Sequence, residues 1–176
     1  LHKIMEAVRN EGFKGRIILG GSQVSYTKKG LEDFYPQADI FIRGYAEEAL
    51  ASLMLSSQAY PVIPGVHFAG HPDLGISATA ALEVLPSPFL SGTIKPQRFI
   101  RWETQRGCPF RCGFCQHRES DITMTRRQFS QSRIMSEIDF FLSNRVIQDI
   151  AVLDPIFNSG PNYMAILERF ADGRYT

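Results

Sequence analysis

Residues 98–115 read RFIRWETQRGCPFRCGFC, and this stretch determines how the rest of the chain is interpreted. Its first part, residues 98–103, is rich in aromatic and β-branched side chains and predicts a strand. Three cysteines follow directly, Cys108, Cys112 and Cys115, with the spacing C-x3-C-x2-C. Three thiolates can ligate three irons of a cubane cluster and leave the fourth iron without a protein ligand. The stretch therefore predicts a strand that leads into a metal-binding loop.

The cysteine content and the charge balance limit the class of protein. These three are the only cysteines among 176 residues, and an odd, tight group argues against a disulfide framework and for a reducing compartment. We therefore expect a cytoplasmic protein. The formal net charge of +1 predicts neither a nucleic-acid partner nor an anionic membrane surface. No apolar run approaches the roughly 20 residues that span a bilayer, so no membrane association is expected.

After the cysteine loop, the sequence predicts one further strand and two helices. A helix over residues 132–142, a strand over residues 150–153 and a helix over residues 163–170 follow from the apolar spacing. Three arginines precede or begin the first of these helices, and a solvated basic face is the expectation for them: Arg126, Arg127 and Arg133.

The first half alternates between helix and strand. Apolar spacing and glycine stops predict helices over residues 1–12, 28–35 and 47–55, and strands over residues 17–19 and 39–43. Such alternation indicates an α/β fold with a parallel sheet and right-handed crossovers. Residues 56–97 hold six of the ten prolines and predict a linker, with a small hairpin between residues 62–63 and 66–68.

The cysteine spacing, with Phe114 directly before the third cysteine, resembles the radical S-adenosylmethionine (SAM) superfamily. The resemblance implies that Cys108, Cys112 and Cys115 hold a 4Fe–4S cluster whose fourth iron is chelated by SAM. It implies that Phe114 packs near the SAM adenine. It also implies that the strand before the loop begins a partial (β/α)6 TIM-type barrel, with its active site at the carboxyl ends of the strands.

Two polar residues follow the next strand, Asp154 and Asn158, in the sequence DPIFN. This departs from the glycine-rich acidic motif common in the superfamily and is similar to its cobalamin-associated branch, which implies SAM binding by Asp154 and Asn158. The other interpretation is an Asp–Pro turn, with Asn158 capping the following helix. Both interpretations stay open.

The cysteine loop also allows a zinc interpretation. His117 follows the third cysteine, so Cys108, Cys112, Cys115 and His117 can be written as a Cys3His set, which is a known zinc geometry. Four ligands within ten residues leave little chain for the second knuckle that zinc modules supply. This alternative describes a zinc-binding interaction module, and the metal content of the protein separates the two.

Glycines follow both strands of the first half. Gly20, Gly21 and Ser22 come after the first strand, and Gly44 after the second. They resemble the last third of a flavodoxin-like (Rossmann-like) cobalamin-binding domain, in which glycine lets the backbone approach the cofactor. The turn that begins at Gly44 keeps only the first glycine and the last acid of that family's Gly-Glu-Gly-Glu-like turn. Any strand-to-helix turn can use two glycines, so the glycines alone are weak evidence. The cobalamin interpretation depends on the order of the segments, in which such a domain end precedes a linker and the cysteine loop.

That order resembles the cobalamin-dependent (class B) radical SAM enzymes, many of which are methyltransferases. It implies the end of a cobalamin-binding domain at residues 1–55, a linker at 56–97 and the start of the barrel at 98–176. The linker histidines His67 and His71 are not assigned as cobalt ligands.

The implied function is methyl transfer to an unactivated carbon of a small-molecule or peptide substrate. The implied cofactors are a 4Fe–4S cluster, SAM and cobalamin, with a flavodoxin- or ferredoxin-type electron donor. A cyclisation or rearrangement is the alternative chemistry. Because only two barrel strands are visible, we expect a piece of a larger enzyme that is inactive by itself.

Overall fold

A computed structural model describes residues 1–110, 112–115 and 126–173. They form two compact units, one of residues 1–80 and one of the described residues from 81 onward. Both units are mixed α/β with small sheets, which confirms the expected class at that level. In the described part of the chain, no helix is long and apolar enough to cross a membrane. The predicted domain bounds at residues 55 and 97 stay predictions.

The first unit has a three-stranded sheet and four helices. Its strands lie in the order β1-β2-β3, with β1 parallel to β2 and β3 antiparallel to β2. The elements are α1 (His2–Asn10), β1 (Ile18–Leu19), α2 (Ser22–Tyr26), α3 (Leu31–Phe34), β2 (Ile40–Ile42), α4 (Ala46–Leu55) and β3 (Val66–Phe68).

The central strand β2 explains why helices cover both faces of this sheet. All three of its residues are buried, and successive side chains point to opposite faces. Phe41 packs with residues of α1, α2 and α3, while Ile40 and Ile42 pack with residues of α4. A strand with two apolar faces is typical of a sheet layered between helices.

One prediction for the first unit is wrong, and one predicted helix is shorter than expected. Val66–Phe68 pairs with β2, not with residues 62–63, because this register places Phe68 opposite Ile40 in the core. The helix predicted over residues 28–35 begins only at Leu31, after Gly30 adopts φ +74°. The left-handed backbone at Gly30 separates α3 from α2, a short helix that the apolar spacing did not indicate.

The second unit contains the predicted strand, loop, helix, strand and helix. Its sheets are small: β4 pairs in parallel with β7, and β5 pairs antiparallel with β6. The elements are β4 (Phe99–Trp102), β5 (Gln105–Arg106), β6 (Arg127–Gln128), α5 (Gln131–Ser143), β7 (Asp149–Val152), a 3-10 turn (Phe157–Ser159) and α6 (Tyr163–Gly173).

The core of the second unit lies between the β4–β7 pair and its helices. Ile100 and Trp102 alternate with exposed residues along β4 and pack on buried residues of α5 and α6. The α5 helix begins at a capped N-terminus, where the Ser130 hydroxyl accepts a hydrogen bond from the Arg133 amide (3.3 Å). The β4–α5–β7 crossover places the carboxyl ends of two parallel strands side by side.

Candidate functional site

The cysteine loop begins directly after β5, at Gly107, whose φ of +82° favours glycine. Cys108 and Cys115 are half-buried and Cys112 is exposed. A turn joins the last two, since the Cys115 amide donates to the Cys112 carbonyl (3.0 Å). The Phe114 side chain is 94% exposed. All three cysteines and the Phe114 ring are therefore accessible from solvent.

The chemistry of these donors suits an iron–sulfur cluster, because thiolates are its usual protein ligands. Among the residues that the structure describes, however, no three His, Cys, Asp or Glu side chains lie close enough to hold a metal ion. Ligation by Cys108, Cys112 and Cys115 thus stays a prediction. His117 lies outside the described residues, and the zinc alternative stays open with it.

A short antiparallel pair joins the two ends of the cysteine loop. Gln105 lies opposite Gln128, and Arg106 lies opposite Arg127. The Phe129 amide extends the pairing by donating to the carbonyl oxygen of Thr104 (3.1 Å). We call residues 104–106 and 127–129 the loop clamp. Polar two-residue strands carry no hydrophobic periodicity, so the sequence did not predict this feature.

Asp154 follows β7 and bonds to the first strand of the loop clamp. Its carboxylate accepts hydrogen bonds from the Thr104 amide (2.8 Å), the Gln105 amide (3.2 Å) and the Thr104 hydroxyl. These bonds connect the end of β7 with the segment that follows β4. Asp154 therefore has a structural use in this chain, and its binding of SAM stays a prediction.

The segment after Asp154 makes two further contacts to the loop ends. The Gln105 side-chain amide donates to the Ile156 carbonyl (2.6 Å). Arg126 donates to the carbonyl oxygen and the hydroxyl of Ser159, the latter at 3.1 Å. Arg126 is thus partly buried, and the expectation of a solvated position for it is wrong. Asn158 is exposed inside the 3-10 turn, and because α6 begins only at Tyr163, Asn158 does not cap that helix.

A buried polar network lies next to the loop clamp. Glu137 is 1% exposed and accepts hydrogen bonds from the Trp102 indole (2.6 Å) and the Arg133 guanidinium (3.0 Å). Arg133 also donates to the Leu85 carbonyl (2.6 Å) and lies 3.8 Å from the centroid of the Phe129 ring. The solvated position expected for Arg133 is therefore wrong. The sequence signal that could have indicated this network is the i, i+4 spacing of Arg133 and Glu137 on a predicted helix.

The glycines predicted to approach cobalamin lie at one edge of the first sheet, because β1 and β2 are parallel. Gly21 is exposed, has φ +92° and would present a Cβ to open space. Gly20 and Ser22 beside it are exposed as well. Gly44 differs, because its Cβ would lie 2.3 Å from the Ala78 carbonyl oxygen. Gly44 therefore allows a close backbone contact within this unit, and its role towards cobalamin stays a prediction.

An ion pair lies beside that edge. The buried Arg43 guanidinium, at the carboxyl end of β2, binds both carboxylate oxygens of Asp73 (2.7 Å each). Burial favours the neutral form of Asp73, but the hydrogen bond from Arg43, the Gly75 amide and the charge of Arg43 outweigh it and lower the pKa of Asp73. His67 is buried nearby, with its Nε2 atom 2.9 Å from Glu32.

Two curated proteins are similar to this chain. The cobalamin-dependent radical SAM methyltransferase TokK of Streptomyces tokunonensis is 26% identical in an alignment 190 positions long. The alignment covers 98% of this chain and 28% of that protein. The 2-(S-pantetheinyl)-carbapenam-3-carboxylate methyltransferase of Streptantibioticus cattleyicolor is 28% identical over 177 residues, covering 90% of this chain and 26% of that protein. No family model matches the chain.

These relatives confirm the resemblance that the cysteine loop indicated, and they relate the chain to enzymes. The chain spans about a quarter of the length of the curated relatives it matches.

Proposed function

We propose that this chain, a relative of a cobalamin-dependent radical SAM methyltransferase, is the cluster-binding part of an enzyme of the same chemistry. The observation that carries the proposal is the C-x3-C-x2-C loop, which follows β5 on the carboxyl side of β4, the strand that pairs in parallel with β7. Active sites of parallel α/β folds lie at this end of the strands. The alignment with TokK covers nearly the whole chain, so the similarity includes both the cysteine loop and the elements around it.

We assign the first unit to the end of one larger domain and the second unit to the start of another. The β1–β2 pair, with a glycine turn and helices on both faces, supports the end of a flavodoxin-like domain. The β4–α5–β7 crossover followed by α6 supports the start of a (β/α)6 barrel. The shared basis for both assignments is the parallel pairing of successive strands across a helix.

The residues of this chain would hold and orient the cofactors. Cys108, Cys112 and Cys115 would provide thiolates to the cluster, and the exposed ring of Phe114 would provide an apolar face for the adenine of SAM. Asp154 and Asn158 follow the neighbouring strand, and Asn158 has an exposed amide that can bind a polar group of SAM. The bound cluster, SAM and cobalamin supply the radical and methyl-transfer chemistry.

The substrate proposed is a small organic molecule, and the reaction proposed is methylation. The S. cattleyicolor relative is named for methylating a carbapenam carboxylate, and both relatives are named methyltransferases. These names favour methyl transfer over cyclisation or rearrangement. Reduction of the cluster requires an external electron donor, for which we propose a flavodoxin or a ferredoxin.

The cluster is tested by anaerobic reconstitution with iron and sulfide, followed by metal and sulfide analysis. The wild-type chain is expected to bind about four irons and four sulfides. Each of the variants Cys108→Ser, Cys112→Ser and Cys115→Ser is expected to lose most of the iron. Stoichiometric zinc in a colourless wild-type protein, with no cluster after reconstitution, would instead support the zinc module.

The cobalamin surface is tested by titrating hydroxocobalamin into Gly21→Val, with Gly12→Val as the matched control. Both glycines have φ near +90° and open space where a Cβ would lie, so both substitutions carry a similar backbone cost. Only Gly21 lies at the sheet edge after β1. We expect binding to weaken in Gly21→Val alone. Equal affinity in both variants and the wild type would remove Gly21 from the proposed surface.

A further inference from the structure

We propose that Asp154 and Arg126 are positioning residues that fix the two ends of the cysteine loop to the segment after β7, so that the loop clamp forms before any metal binds. The importance of this device for catalysis rests on the proposed function. The contacts themselves involve only side chains and backbone groups of this chain.

At the entry end, Asp154 makes three hydrogen bonds that involve both of its carboxylate oxygens. One oxygen accepts from the amides of Thr104 and Gln105, and the other accepts from the Thr104 hydroxyl. Thr104 is 5% exposed, and hydrogen bonds to a charged acceptor are stronger than those between neutral groups. Asp154 therefore holds the backbone immediately before Gly107.

At the exit end, Arg126 binds the same segment further along. Its guanidinium donates to both the carbonyl and the hydroxyl oxygen of Ser159. Arg126 directly precedes β6, so this contact fixes the backbone where the chain returns from the loop. The two contacts thus hold opposite ends of the loop on one short stretch, residues 154–159.

The middle of that stretch packs over Gln105. This residue is 2% exposed and its side chain donates to the Ile156 carbonyl, and a Cβ at Gly160 would lie 2.8 Å from its amide oxygen. The segment after β7 thus has little room to shift. The loop clamp is supported from its entry, its exit and the space between them.

The consequence is a lower entropic cost of gathering the three thiolates. Closing a loop costs conformational entropy, and a loop whose ends are already joined has less left to lose when its ligands converge. Cluster assembly by this chain should therefore depend on Asp154 and Arg126 even if neither residue touches the cluster or SAM.

The direct test is amide hydrogen exchange in the metal-free chain of 176 residues. The reporter is the Phe129 amide, which donates its hydrogen bond to the Thr104 carbonyl rather than to Asp154 or Arg126. We expect its exchange to rise about tenfold in Asp154→Ala and in Arg126→Gln, as loss of charged hydrogen bonds allows the clamp to open. The matched controls are Asp149→Asn and Arg145→Gln, at exposed positions outside the clamp, and they are expected to leave the Phe129 amide unchanged.

Thr104→Val keeps the proposal testable if Asp154→Ala fails to fold. It removes one hydroxyl donor to Asp154 and retains the carboxylate and the side-chain volume at position 104. A smaller rise in Phe129 exchange is expected, with unchanged exchange in the amides of α5. Conversely, Asp154→Asn keeps one oxygen acceptor for the two amides and should restore part of the protection. Wild-type exchange at Phe129 in Asp154→Ala, Arg126→Gln and Thr104→Val would overturn the proposal.

Reconstituted protein separates positioning from SAM binding. As a positioning residue, Asp154 affects the yield and the EPR line shape of the cluster without SAM, and Thr104→Val shifts both in the same direction. If Asp154 acted only as a SAM ligand, Asp154→Ala would retain the SAM-free signal and lose only its response to SAM, which would contradict the proposal. A wild-type chain without a cluster would refute the proposed function, while the exchange of Phe129 would still decide the positioning role.

Discussion

Each of the two units contains an arginine–carboxylate pair in which one partner is almost fully buried, and the buried partner differs between the units. In the second unit, the side chain of Glu137 is 1% exposed and that of its partner Arg133 is 16% exposed. In the first unit, the order is reversed, with Arg43 4% exposed and Asp73 24% exposed. The charge that is hardest to hydrate is therefore an anion in one unit and a cation in the other.

The pairs also connect different parts of the chain. Arg133 and Glu137 are one helical turn apart, and the Trp102 indole adds a bond from β4 to α5. Arg43 and Asp73 are 30 residues apart, so their bond fixes a loop against the end of β2. The Glu137 network therefore stabilises the core next to the loop clamp, while the Arg43 pair stabilises a loop at the end of the sheet.

Replacement of Glu137 should destabilise the protein most. Glu137→Ala leaves the Arg133 charge partly buried without its carboxylate and the Trp102 indole without an acceptor, so the free energy of unfolding should fall by about 3–5 kcal/mol. Urea unfolding measures this loss. The exposed Glu168→Ala on α6 serves as the control and should change stability by less than about 0.5 kcal/mol. A loss at Glu137 no larger than that control would contradict the role of the network.

A smaller loss is expected from Arg43→Met, which keeps an unbranched apolar stem and removes the charged guanidinium group. Asp73 is partly exposed and can be hydrated after the change, so the loss should be about 2 kcal/mol. The exposed Arg98→Met is the matched control. If Arg43→Met destabilised the protein more than Glu137→Ala, the greater burial of Glu137 would not explain the size of the two losses in stability.

The Asp73 pair should also make stability depend on pH. Because the pKa of Asp73 is lowered on folding from its ordinary 3.8, the ionised pair stabilises the folded state above that pH, and the contribution is lost as pH falls through the folded pKa. Unfolding of wild type and Asp73→Asn between pH 2 and pH 6, about the acid range of a carboxylate, measures this. The stability difference should be full near the upper limit and shrink towards the lower. A difference that stays constant across this range would contradict the assignment.

Replacement of the N-cap of α5 should destabilise the protein least. Ser130→Ala removes the side-chain acceptor for the Arg133 amide and should cost about 1 kcal/mol. Thermal or urea unfolding detects this change, and Ser130→Asp should restore most of the loss because aspartate is also a strong cap. If Ser130→Ala matched Glu137→Ala in cost, the helix start rather than the buried network would dominate this region.

The apolar elements could be predicted from the sequence, because runs such as Ile17–Leu19 and Ile150–Leu153 are apolar throughout and favour strands. The β5–β6 pair could not, since two polar residues on each strand leave no periodic signal. Glu137 was missed because its burial depends on Trp102, which lies 35 residues earlier. The cysteines were identified as a ligand set from their spacing, while the contacts of Asp154 and Arg126 became visible only in three dimensions.

Binding of SAM to the cluster is tested by the EPR spectrum of the reduced, anaerobically reconstituted chain, recorded with and without SAM. We expect the signal of a 4Fe–4S cluster that changes on addition of SAM, since the iron without a protein thiolate would bind SAM. A cluster signal that is identical with and without SAM would contradict the assignment of Cys108, Cys112 and Cys115 to a SAM-binding cluster.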